Sequence, residues 1–222
     1  MRRLWITGYR SYELNVFKDD DPKAAVIKDV LSRELKARLE ESDEEFWLIT
    51  GPQLGTEQWA IEVALKLRDD YPQLKISMML PFTEFGQQLN ENNQAKLANL
   101  QSAVDFSASV SDHPYQSPQQ LRAFQQFMLT HTDEALLLYD PDHEGKEKYG
   151  YQAIQKYQAN HDYSYRLIDF DELQEAAIEW QERQREAGEA DKFWVFVNIG
   201  QNCLNLRDEL GMIINVLLKF SN

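Results

Sequence analysis

The sequence is short of several things, and each shortage removes a class of function. It holds a single cysteine, Cys203, so no internal disulfide can form and nothing points to an oxidising compartment. Its four histidines, His113, His131, His143 and His161, lack the spacing of metal ligands. No serine sits in a G-x-S-x-G elbow. A standard metalloenzyme or serine hydrolase is therefore not expected, and neither a resident metal nor a cofactor is. Positive charge is scarce as well: 23 Lys and Arg stand against 37 Asp and Glu, a net charge of −14. Nucleic-acid affinity rests on cations neutralising phosphates, so no nucleic-acid partner is expected. Long apolar runs are missing too. The run after Arg2-Arg3 is too short for a secretory leader. Residues 210–218 are interrupted by Gly211 and Asn215 and too short to span a bilayer. The expectation is a cytoplasmic protein with no membrane span.

What is present fits one generous domain. Of 222 residues, 43% are hydrophobic and 12% aromatic, enough to bury a core and too much for a disordered chain. Strand-length apolar runs alternate with segments of helical period, the signature of βαβ units and a parallel sheet. The runs lie at residues 4–7, 46–50, 76–80, 104–110, 135–139 and 165–170. Asp21-Pro22 opens a helix whose Ile27, Leu31, Leu35 and Leu39 repeat on one face. Ser117-Pro118 opens another, and Trp59, Val63 and Leu67 mark a third directly after Gly55. Further helices are predicted over residues 85–102, 149–160 and 171–186. The predicted fold class is α/β, a Rossmann-like parallel sheet flanked by helices on both faces, over residues 1–188. Residues 189–222 form a separate apolar C-terminal extension, with a strand-like run at 193–197 and a helix-like segment at 204–220. It is a candidate surface for a homo-oligomer or a protein partner.

In open α/β sheets ligands sit beyond the carboxyl ends of the strands, near helix N-termini. After the second run comes Gly51-Pro52-Gln53-Leu54-Gly55-Thr56-Glu57, leading at once into a helix. Two glycines allow a tight turn and a close approach to an anion, with Thr56 as the expected N-cap. The spacing matches neither a dinucleotide fingerprint nor an ATPase loop. Two readings stand side by side: a phosphate cradle, or a plain turn with Glu57 favoured only by the first helical turn. After the first run, Gly8, Tyr9, Arg10 and Tyr12 offer a guanidinium for phosphate and rings for a base. His113 and Tyr115, after the fourth, are candidates to face the same crevice. Asp140-Pro141-Asp142-His143-Glu144-Gly145 begins like a calcium loop, but Tyr151 takes the twelfth position, where a bidentate glutamate is needed. It reads as a solvated acidic loop.

Five ordered blocks carry a resemblance. They are the first run through Arg10 with Glu13-Leu14, Gly51 to Ala60, Leu80-Pro81-Phe82, His113 to Pro118, and Leu136 to Pro141. Together they resemble the YpsA-like family, a branch of the SLOG superfamily of Rossmann-like proteins related to the Lonely Guy enzymes. The likeness runs from residue 1 to about 180. It implies a nucleotide-derived ligand, such as an ADP-ribose or NAD derivative, and a bacterial regulatory protein associated with cell-division control. By the same resemblance Gly51, Gly55 and Glu57 lead the ligand loop, followed by Gly8 and Arg10. The Lonely Guy pattern carries a paired glycine and a separate arginine-bearing motif that this sequence lacks. An N-glycosidase using Glu57 as its catalytic carboxylate is thus the alternative to a ligand-binding protein. A protein–protein adaptor using the apolar extension is a third reading.

Overall fold

The computed structural model describes residues 1–186; the extension at 189–222 lies outside them. Six strands form one parallel sheet: β1 (Arg2–Gly8), β2 (Phe46–Thr50), β3 (Leu74–Leu80), β4 (Phe106–Ser109), β5 (Glu134–Leu138) and β6 (Ser164–Ile168). Their order across the sheet is β4-β3-β2-β1-β5-β6. The helices between them are α1 (Pro22–Glu40), α2 (Thr56–Leu67), α3 (Glu91–Ala103), α4 (Pro118–His131), α5 (Lys148–Gln158) and α6 (Phe170–Glu186). This is the Rossmann-like α/β fold that the alternating pattern predicts.

The order explains the layers. Right-handed crossovers run leftward from β1 to β4 and place α1, α2 and α3 on one face. The chain then jumps from β4 back across to β5, which puts α4 and α5 on the other. Contacts of α1 with α2 and α6, and of α4 with α5, agree with that division. Interior strand β5 reads Glu-Ala-Leu-Leu-Leu and is buried throughout, as a strand covered on both faces requires. The edge strand β4 is short and partly exposed.

Local signals behave as their chemistry dictates, with two corrections. The Asp21 carboxylate accepts from Lys23 N–H at 2.9 Å and caps α1, and Ile27, Leu31, Leu35 and Leu39 are all buried. The predicted 85–102 helix instead begins at Glu91. Glu84 and Gly86 take positive φ, and Asn90 caps the helix by accepting from Asn93 N–H at 2.9 Å. Thr56 is not the cap of α2 either. Gly55 is, with φ 112° and ψ −134°, because the Thr56 hydroxyl is drawn instead to the Tyr9 carbonyl at 2.9 Å.

Candidate functional site

In this strand order the chain reverses its direction of travel between β1 and β5. The crevice beyond the carboxyl ends of those two strands is the topological switch point, where open α/β sheets place their ligands. Thr7 and Gly8 end β1 there, and the loop from Tyr139 to Glu147 leaves β5 there. A strap of backbone, residues 9–11, is tied down across the start of α2. Arg10 and Gly55 form an isolated antiparallel bridge. Ser11 N–H donates to Leu54 O at 3.0 Å, and Thr56 N–H donates to Tyr9 O at 3.2 Å. Tyr9 anchors the strap, its ring stacked on Phe170 with centroids 5.2 Å apart.

Two carboxylates meet under this strap. Glu57 is buried; it accepts from Thr7 Oγ1 at 3.1 Å and from Gln53 N–H at 2.8 Å. Glu147, at the N-terminus of α5 and making no side-chain cap bond there, lies close enough to Thr7 and Glu57 to feel both. Each acid occupies space that a glycine leaves open. A Cβ at Gly51 would fall on the Glu57 carboxylate, and one at Gly150 on that of Glu147. Burial pushes the Glu57 carboxyl above the ordinary range, against the opposing pull of Gln53 N–H, Thr7 and the Arg10 charge. Burial, then the charge of Glu57, push Glu147 well above it. One hydroxyl has one proton to give. Thr7 gives that proton to Glu57. Arg10 lies close enough for its charge to favour ionisation of both acids, and its side chain makes a long bond to Tyr12 Oη at 3.4 Å. Arg10 can hold an anion, and the two carboxyl groups can accept from hydroxyls.

The structure sorts the sequence candidates. Gly8, Arg10, Gly51, Gly55, Thr56 and Glu57 converge, with Gly8 packed against Leu138. Several N–H groups at the start of α2 already have protein partners: Thr56 with Tyr9 O, Gln58 with Gln53 O and Trp59 with Gly55 O. Gln53 N–H serves Glu57 itself. The glycine loop thus builds the carboxylate pair and receives the strap. His113 and Tyr115 are exposed beside β4, three strands from β1, a separation of roughly 14 Å at ~4.8 Å per strand. There Tyr115 packs on Phe82 with ring centroids 5.2 Å apart.

Glu147 and Glu13 were not among the candidates. Glu13 accepts from Arg10 N–H at 2.8 Å and from Lys146 N–H at 2.7 Å, joining the strap to the loop that delivers Glu147. That loop is not simply a solvated acidic one. Asp140 is buried and accepts from Asp142 N–H at 2.9 Å, while Asp142 and Glu144 remain exposed. Among the described residues no group of three or more His, Cys, Asp or Glu is placed to hold a metal, and no helix is long and apolar enough to cross a membrane.

The YpsA family model, described as the YspA SLOG family, matches residues 4–173. A UPF0398 protein of Limosilactobacillus reuteri is 65% identical over 189 residues, covering 85% of this chain and all of that protein. One of Levilactobacillus brevis is 59% identical over 182 residues, covering 82% of this chain and 95% of the relative. One of Lactiplantibacillus plantarum is 55% identical over 184 residues, covering 83% and 96%.

Proposed function

Since the chain belongs to the YpsA SLOG family, we propose that it binds a nucleotide-derived ligand, of the ADP-ribose or NAD kind, in a regulatory role such as cell-division control. One observation carries this: Arg10, Glu57, Glu147 and Thr7 converge at the β1–β5 switch point. Arg10 offers a planar fork to a phosphate, and Glu57 accepts from ribose hydroxyls. ADP-ribose at 100 times its dissociation constant stabilises the protein by roughly 2.7 kcal/mol, or about 5–10 °C in melting temperature for a chain of this size. Arg10→Ala abolishes the shift. A panel of adenine nucleotides and ADP-ribose compounds that leaves the wild-type melt unmoved overturns the reading.

The carboxylate pair favours a second reading, a nucleotide N-glycosidase. A neutral Glu147 is a candidate acid for the departing base, and an ionised Glu57 would stabilise the charge that grows on the ribosyl carbon. Chromatography of the wild type with nucleoside monophosphates separates the two. Free base that disappears in Glu57→Gln while binding persists supports turnover; intact nucleotide supports the binder.

The ligand-binding unit in this proposal is residues 1–188. The family match within residues 4–173 and a relative spanned entirely by 189 matched residues support that boundary. Truncation after Gly188 leaves a soluble core with a cooperative melt and the same ligand shift, and changes at most its oligomeric state. An insoluble product, or one without a cooperative melt, overturns the division.

A further inference from the structure

The chain carries a net charge of −14, and cations in it readily find carboxylates. Arg2, Arg3, Arg38 and Arg166 each form a salt bridge with an aspartate or glutamate. Arg10 and Lys146 form none among the described residues.

These two cations are brought together by a third residue. Glu13 accepts from Arg10 N–H through Oε2 at 2.8 Å and from Lys146 N–H through Oε1 at 2.7 Å. One carboxylate thus pins the backbone of the strap to the backbone of the loop that follows β5. Both side chains then meet one ring. The Arg10 guanidinium donates to Tyr12 Oη at 3.4 Å, and the Lys146 ammonium stands over the Tyr12 ring, 5.5 Å from its centroid. Tyr12 is 45% exposed and Lys146 is exposed, so the cluster is open to a ligand from solvent.

The donors are not used up. An ammonium has three N–H groups and a guanidinium five, and a cation resting on an aromatic face keeps its donors for another partner. A single phosphoryl group is satisfied by the planar fork of one arginine. Lysine is a point charge on a flexible stem and meets a phosphate from many directions. Beside an arginine fork, it adds most to a ligand that carries a second phosphoryl group.

We infer that Arg10 and Lys146 form a two-cation clamp for a diphosphate, one phosphoryl group on each cation, with Tyr12 as the platform between them. The assignment rests on the nucleotide-ligand reading and narrows it to ligands with a diphosphate, with Lys146 as the residue that selects them over nucleoside monophosphates.

Isothermal titration of the full chain with AMP and with ADP-ribose tests it, since the two carry similar total charge near neutral pH on one and two phosphoryl groups. ADP-ribose binds at least tenfold more tightly than AMP. Lys146→Gln weakens ADP-ribose about tenfold and leaves AMP within twofold, and Lys146→Arg, which keeps the charge, retains the preference. Lys156→Gln removes the same charge from an exposed position in the last turn of α5 and changes neither affinity. Equal affinity for AMP and ADP-ribose overturns the clamp. So does a Lys146→Gln effect that is the same on both ligands or is matched by Lys156→Gln. These outcomes leave the nucleotide reading standing. Binding of neither nucleotide sinks that reading, and inorganic pyrophosphate then decides the clamp: binding that Lys146→Gln weakens upholds it, while no binding, or binding indifferent to the substitution, overturns it.

Discussion

Gly55→Ala lowers the melting temperature by roughly 6–12 °C. At φ 112° and ψ −134° the residue occupies backbone space that is essentially glycine's own, and a side chain there costs about 1–3 kcal/mol in strain. The added Cβ also meets a packed wall of backbone: Ser11 N, Tyr9 O at 2.7 Å and Arg10 C at 2.8 Å. Backbone cannot rotate aside as a side-chain tip can, so the strap lifts and its bonds to Leu54 O and Thr56 N–H weaken. A total of about 3 kcal/mol at 2–4 °C per kcal/mol gives the stated range. Circular dichroism melts of the two proteins measure it. A variant that melts within 2 °C of wild type would mean that the strap does not bear on Gly55 as described.

The second large effect is on pH dependence. Glu147→Gln flattens the fall in stability that the wild type shows as pH rises. Both acids are raised in the fold above the ordinary value of 4.5, so below that pH the folded and unfolded chains are equally protonated and neither acid costs anything. Above it the unfolded chain releases protons that the folded chain retains, and stability declines with pH until the folded acids ionise. A single group contributes at most about 1.4 kcal/mol per pH unit, or roughly 3–5 °C. Glutamine cannot ionise. The variant therefore gains over wild type between pH 5 and 8 and shows little difference at pH 4. Parallel melting curves across that range would refute the raised pKa values of the pair.

The two effects differ in how far the sequence announces them. Gly55 and Glu57 are legible because a strand, a glycine turn and a helix follow one another within a dozen residues, and local spacing is what a sequence displays. The strands and most helices are legible for the same reason: Leu31, Leu35 and Leu39 repeat on a face, and β5 is apolar throughout. Helix α3 starts later than its pattern suggests, since only Leu97 and Leu100 are buried in it and no strong periodicity opposed an early start. Glu147 is different. It lies 90 residues from Glu57, in a stretch whose charges look solvated, and it matters because β5 lies beside β1. Strand order is a property of the whole sheet, and no local window contains it. His113 and Tyr115 show the converse, near the crevice in pattern but beside β4, three strands from β1.

The strap has one more consequence, in entropy. Residues 9–11 are held by backbone bonds to Leu54 and Thr56, by the Glu13 carboxylate at Arg10 N–H, and by the Tyr9 ring on Phe170. Loops that order only when a ligand arrives draw the cost of ordering from the binding energy, at about 0.5–1.5 kcal/mol for each immobilised side chain. Here the segment is already tied to the start of α2 by its own backbone bonds. A ligand reaching the strap therefore meets backbone already in place, and its affinity rests on the contacts made.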